Sequence, residues 1–236
     1  MDKKIGVFDS GIGGLTTLEE IRKILPNEDY IFYADSKNNP YGEKTIDELN
    51  KITKNIVNKL LEKNVKLIVI ACNTATTQCI NYLRSEFPNM IFVGTEPAIK
   101  VACDNNYKNT LVMATPGTIS SERTHELITN NKRENENIIL VPCDKLANAI
   151  ERNDKKDIDK ILHDNLDKYK KKDIDAVVLG CTHYPIIKDR IQSFFPNSKL
   201  IDGNNGVAKR VKNQLEEHNL LSNKKEKGSL EFIQTE

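Results

Sequence analysis

Four short apolar runs, Lys4 to Phe8, Tyr30 to Ala34, Leu67 to Ala71 and Ile91 to Gly94, are followed by four more at Thr110 to Ala114, Ile138 to Pro142, Asp175 to Gly180 and Lys199 to Asp202. Paired in order, they keep nearly constant offsets: Val7 to Val112 is 105, Ile31 to Ile139 is 108, Cys72 to Cys181 is 109 and Val93 to Ile201 is 108. A period held that steadily implies two copies of one architecture. The runs are short, β-branched and unalternating, the pattern of strands buried on both faces of a parallel sheet. Helical patterns separate them, so strand-helix-strand units with right-handed crossovers are expected throughout. The fold class is α/β, with two parallel-sheet units.

Leu15, Leu18, Ile21 and Leu25 make one helical face after a glycine turn. Thr45 and Glu48 form a capping box opening a second helix, whose apolar face runs through Ile46, Leu49, Ile52, Ile56 and Leu60. A third helix is expected from about Thr76 to Phe87, stopping before Pro88. In the second half the helices fall near Ser120 to Asn130, Lys145 to Arg152, Ile158 to Tyr169 and Ile186 to Phe195. The last, Gly206 to Leu221 with Val207, Val211 and Leu215 inward, is placed to pack back on the first half. Pro97 after the fourth run and the glycines at 203 and 206 divide the chain into residues 1–96 plus 206–236 and residues 97–205. The cleft between the carboxyl ends of the two sheets is then the natural site.

Charge excludes little but directs the search. Lys and Arg number 35 against 34 Asp and Glu, scattered rather than gathered into a stripe, so nucleic acid is not indicated. Lys170-Lys171-Lys172 is the densest basic run and reads as a solvated helix end. The amino-terminal apolar run, Ile5 to Phe8, is too short for a signal peptide, and no later run approaches a membrane span, so a cytoplasmic chain is expected. The five cysteines, 72, 79, 103, 143 and 181, include no C-x-x-C pair, which argues against disulfides and structural zinc.

Two of those cysteines end matched strands: Ala71-Cys72-Asn73-Thr74 and Gly180-Cys181-Thr182-His183. Ligands of parallel sheets bind beyond the carboxyl ends of the strands, so both thiols stand where chemistry is expected. The first turn, Asp9-Ser10-Gly11-Ile12-Gly13-Gly14, lacks the third glycine of a dinucleotide fingerprint, position 16 being Thr, and Asp9 would oppose a pyrophosphate. Its amides suit a small carboxylate, and Asp9 an ammonium or a cysteine. The polar segment from Ala34-Asp35-Ser36 to Asn39-Pro40-Tyr41-Gly42-Glu43 follows the second run and opens onto the same edge. Asn73, Thr74, Thr182 and His183 offer donors to a carboxylate, and so does the helix-starting segment Thr115-Pro116-Gly117-Thr118, in which Thr118 is expected first to serve as the N-cap. A thiol of pKa about 8.5 needs a neighbour to draw off its proton. Asp9 and His183 are placed for that, whereas His125, His163 and His218 lie on helices and read as packed or surface residues. A hydrolytic Cys-His pair would leave the second cysteine without a role. Two thiols facing each other across a small carboxylate site suit inversion of a stereocentre: one removes the α-proton and the other supplies a proton to the opposite face. No pyridoxal-phosphate lysine is evident, so no cofactor and no metal are expected.

These residues resemble the glutamate racemases of the cofactor-independent aspartate/glutamate racemase superfamily. The resemblance runs through Phe8-Asp9-Ser10-Gly11-Ile12-Gly13-Gly14-Leu15, Pro40-Tyr41-Gly42, Ala71-Cys72-Asn73-Thr74-Ala75, Glu96-Pro97, Gly117-Thr118 and Gly180-Cys181-Thr182-His183-Tyr184-Pro185. It implies two flavodoxin-like domains related by a pseudo-twofold, a homodimer, and supply of D-glutamate for peptidoglycan. It further implies Cys72 and Cys181 as bases, Asp9 and His183 assisting, and Asp9, Ser10, Tyr41, Gly42, Asn73, Thr74, Thr182 and His183 as substrate contacts. The family's assisting glutamate matches Glu151 best. Thr76, Thr77 and Gly203 depart from the family pattern, which opens fine substrate preference and the packing of the last helix. Competing readings are a racemase for aspartate or another amino acid, and an amino-acid-binding sensor, which would not need both thiols.

Overall fold

The computed structural model describes residues 3–236; Met1 and Asp2, the first residues of the expected 1–96 unit, lie outside the described residues. The first-half strands are β1 (Lys4–Asp9), β2 (Tyr30–Ala34), β3 (Val65–Ile70) and β4 (Phe92–Gly94). Those of the second half are β5 (Asn109–Ala114), β6 (Asn137–Pro142), β7 (Ala176–Gly180) and β8 (Lys199–Ile201). Helices α1 (Leu15–Ile24), α2 (Ile46–Glu62) and α3 (Asn73–Glu86) alternate with the first set. With the second set run α4 (Ile99–Asp104), α5 (Pro116–Ile119), α6 (Glu122–Asn131), α7 (Leu146–Glu151), α8 (Lys155–Leu166) and α9 (Lys188–Phe194). Helix α10 (Asn204–Glu217) and strand β9 (Leu230–Gln234) follow.

Every pairing is parallel, in two sheets ordered β4-β3-β1-β2-β9 and β6-β5-β7-β8. Matching β5 to β8 with β1 to β4 and reading the second sheet in reverse gives the order of the first, apart from the added β9. The fold class expected from the repeat is therefore present. Central strands are buried along their whole length, as β2, β3 and β7 show, because helices cover both faces. Strand β6, the counterpart of β2, lies at an edge and is only partly buried.

Local chemistry sets the element ends. Thr45 accepts from the Glu48 amide and Glu48 returns to the Thr45 amide, the capping box expected for α2. Helix α10 begins at Asn204 rather than Gly206 and packs on α1, burying Val207, Ala208, Val211 and Leu215 with Leu18 and Ile21. The wholly buried Val211 and Leu215 contribute about 1.5–3 kcal/mol each. The Thr17 hydroxyl donates to the Asn204 side-chain oxygen at 2.7 Å, fixing the same contact at its start. Two short helices, α4 and α5, and the ninth strand were not expected from the sequence. Among the described residues, no helix is long and apolar enough to cross a membrane.

Candidate active site

In both sheets the connections diverge between neighbouring central strands, β1 and β3 in one and β5 and β7 in the other, which opens a crevice at their carboxyl ends. Asp9 ends β1 and is wholly buried. Its carboxylate accepts from the Gly14 amide at 2.9 Å, from the Gly11 amide at 3.3 Å, and from the Thr182 hydroxyl of the other half at 3.2 Å. The close wrap leaves no room at Gly14, where a Cβ would stand 2.6 Å from the Asp9 Cβ. Burial pushes the Asp9 carboxyl up, against the opposing effects of the His183 charge and the Gly14 and Gly11 amides. The Ile12 amide donates to Glu151 at 3.2 Å. The turn expected to present amides to a ligand thus spends three of them on the protein's own carboxylates. The Asp9 oxygens accept from the turn amides and from Thr182, while the Cys72 sulfur pairs elsewhere.

Cys72 leaves β3 and caps α3, its sulfur accepting from the Ala75 amide at 3.5 Å while the thiol lies 3.9 Å from the Ser10 hydroxyl. That cap starts α3 at Asn73, three residues before the expected Thr76. Burial first, and then the Asp9 charge, push the Cys72 thiol well above the ordinary thiol range. Thr76, a departure from the family pattern, donates to the Ile70 carbonyl and accepts from the Thr95 amide, tying the end of β3 to the exit from β4.

Cys181 follows β7 on the opposite side. Its sulfur is 3.8 Å from His183 Nδ1, and His183 Nε2 is 2.5 Å from a Glu151 oxygen. His183 is buried, so desolvation alone would lower its pKa. Hydrogen bonds to Cys181 and Glu151, with the charges of Cys181 and Asp9, outweigh that and raise it from 6.5 to about 10. Glu151 is desolvated too, yet its contacts with His183, the Ile12 amide and Ser36 hold its carboxyl below the usual range. His183 is therefore an imidazolium between a carboxylate and a sulfur, donating from both nitrogens. A group whose pKa is raised on folding stabilises the fold fully below its unfolded value of about 6.5 and loses that contribution as pH rises towards about 10. Urea-unfolding midpoints are accordingly expected to fall across that interval in the parent protein and to stay flatter in His183→Gln.

Cys72 and Cys181 line one cleft, 5% and 7% exposed, with Ser10, Pro40, Tyr41, Gly42, Asn73 and Thr74 on its wall. Asp9, Thr182 and His183 are not on that wall but stand behind the two thiols, joined to one another by hydrogen bonds. Thr118 is also behind it. The N-cap of α5 is Thr115, which accepts from the Thr118 amide, and Thr118 is the capped residue rather than the cap. Pro116 at the first helical position favours this frame. The Thr74 hydroxyl meets Thr115 at 2.8 Å and Thr118 at 3.2 Å, a polar link between the halves. Thr115, from the segment singled out with Thr118, is on the wall, while sequence reasoning missed Cys143, Lys145 and Asn148 there. Lys145 leads into α7 with a left-handed φ of 59°, which no glycine or asparagine signalled. His125, His163 and His218 are exposed, as expected. All five cysteines are free and buried.

A family model described as Asp/Glu/Hydantoin racemase matches residues 5–211. A glutamate racemase of Clostridium botulinum is 44% identical over 240 residues, which is 99% of this chain and 93% of that protein. A crystal structure of glutamate racemase from Francisella tularensis in complex with D-glutamate superposes with a TM-score of 0.85 at 32% identity, over 100% of this chain and 89% of that one. The Escherichia coli glutamate racemase structure, in complex with L-glutamate and the activator UDP-MurNAc-ala, gives 0.81 at 29% identity, over 99% of each chain. The chain belongs to the Asp/Glu/hydantoin racemase family. It is an enzyme of the isomerase class, an amino-acid racemase.

Proposed function

We propose that the protein interconverts L-glutamate and D-glutamate by two-base proton transfer at the α-carbon, supplying D-glutamate for peptidoglycan of the cell wall. One observation carries the reading: two thiols from equivalent strand ends of the two sheets line a single cleft. The thiolate on one face takes the α-proton, the C–H electron pair passes into the carboxylate-stabilised carbanion, and the opposite S–H delivers its proton to the other face. The reverse reaction exchanges the roles. His183, held by Glu151, gives the Cys181 sulfur a cationic donor. Cys72, with its thiol pushed up, rests protonated and ready to donate. Asp9 assists by holding the Gly11 to Gly14 turn and Thr182 in place behind the thiols.

Ser10, Tyr41, Gly42, Asn73 and Thr74 contact the substrate directly, with Pro40 shaping that wall. Thr118, Thr182, His183 and Asp9 join them once substrate opens the cleft. The chain divides into residues 1–96 plus 206–236 and residues 97–205, works as a homodimer in the cytoplasm, and needs neither cofactor nor metal. The test is circular dichroism of pure L- and D-glutamate incubated with dialysed protein and chelator. Both solutions are expected to reach the racemic endpoint, with aspartate a much poorer substrate. Apolar packing alone discriminates one methylene by about 1–3 kcal/mol, so a larger preference would indicate dedicated donors for the distal carboxylate. An unchanged signal, or equal kcat/KM for aspartate, would refute the assignment.

A further inference from the structure

Strand β9 lies outside the repeat, yet its far end reaches the active-site loop. It runs parallel to β2 at the sheet edge, with Phe232 stacked on Phe32 at 5.7 Å and Glu231 paired with Lys4 and Lys63 at 2.9 and 2.8 Å. Just past it, the Thr235 amide donates to the Ala34 carbonyl at 3.0 Å. The Thr235 hydroxyl donates to Asp35 at 3.0 Å and accepts from the Lys37 amide at 3.0 Å, so both of its hydrogen-bonding roles fall on one turn. Asp35 is 2% exposed, and its other oxygen accepts from the Tyr41 hydroxyl at 2.7 Å. Gln234 donates to Ser36 at 3.0 Å, and Ser36 in turn reaches Glu151 at 3.4 Å.

We propose that β9 positions the substrate-facing loop: Thr235, acting through Asp35, fixes the Tyr41–Gly42 wall of the cleft and thereby sets substrate affinity. This rests on the reading of Tyr41 and Gly42 as substrate contacts. Burial and the Asp35 charge keep the Tyr41 hydroxyl protonated and hence a donor to Asp35. Asp35 keeps Asn38 as a second donor, at 2.9 and 3.0 Å. Removing the Thr235 hydroxyl therefore loosens the turn without stranding the carboxylate. The Lys37 amide loses its acceptor in the same step. No proton moves through these groups during turnover, so Thr235 is a positioning residue.

The experiment compares Thr235→Val, Thr235→Ser and the parent chain by steady-state racemisation of both glutamate enantiomers, and by hydrogen-deuterium exchange of residues 36–43. Thr235→Val is expected to raise KM about fivefold for both enantiomers, the scale of one hydrogen bond, with kcat within about twofold. Its exchange in residues 36–43 should quicken while α1 is unchanged, and Thr235→Ser should restore both. Thr235→Ala serves as a second variant should valine perturb the strand. An unchanged KM in the valine and alanine variants, or a serine variant as impaired as valine, overturns the proposal. A parent chain inert towards glutamate would instead refute the assigned reaction, while the exchange measurement would still report the tether.

Discussion

Replacing Cys72 or Cys181 with serine is expected to lower glutamate racemisation by about 10³- to 10⁴-fold, in both directions and for each variant alone. A serine hydroxyl is far less acidic than a thiol, so each substitution removes the competent acid or base from one face of the α-carbon. Neither loss can be offset by the survivor, because a single base returns a proton to the face it came from. The symmetry of the loss follows from the symmetry of the scaffold: β3 and β7 are equivalent strands, and each delivers its cysteine to the common cleft. Folding should be little disturbed. Cys72 keeps a side-chain atom able to accept from the Ala75 amide, and Cys181 a polar atom beside His183. Circular dichroism of each enantiomer against time, with matched urea-unfolding curves, separates lost chemistry from lost fold.

The second large effect is expected at His183. The two thiols are equivalent by topology but not by environment. Cys181 faces an imidazolium braced by Glu151, whereas Cys72 faces Ser10 and the Ala75 amide with the Asp9 charge close by. His183→Gln removes the cation and leaves the half-buried Glu151 carboxylate with the Ile12 amide and Ser36 as its remaining partners. Racemisation is expected to fall by about 10²- to 10³-fold, within the range for loss of a positioned acid or base. The alkaline limb of the parent's pH-rate profile, expected near the raised His183 value of about 10, should vanish in the variant. Glu151→Gln should fall less, since an amide still accepts from the ring. Full activity in His183→Gln with an unchanged pH profile would show that the ring serves packing alone.

The strands and the two thiols were legible because a doubly buried parallel strand leaves a contiguous apolar run, and a polar residue at its end stands out. Elements set by long-range contacts were not. Strand β9 alternates between exposed and half-buried residues, and its partners Lys4, Phe32 and Lys63 are far away in sequence. The start of α3 was misjudged because a cysteine sulfur is outside the usual set of capping side chains. Thr115 was passed over for Thr118 because two threonines three residues apart offer the same hydroxyl, and only Pro116 distinguishes the frames. Glu151 could be placed through family resemblance alone: it lies 32 residues from His183 and 139 from Ile12, and nothing local announces the pairing. The amide nest after β1 was legible as a turn but not as one already filled, since one occupant, Asp9, ends β1 and the other, Glu151, ends α7 in the other half of the chain.

The claim that Cys72 and Cys181 address opposite faces of one α-carbon is tested most directly by elimination. A glutamate analogue with a leaving group on the β-carbon needs only one proton abstraction, so a single surviving thiol suffices. Each enantiomer of that analogue is given to Cys72→Ser and to Cys181→Ser, and release of the leaving group is timed. Each variant should process the enantiomer whose α-proton faces its remaining cysteine, giving the two variants opposite enantiomer preferences. The same preference in both, or normal glutamate racemisation by Cys181→Ser, would contradict the assignment of the two thiols as paired bases.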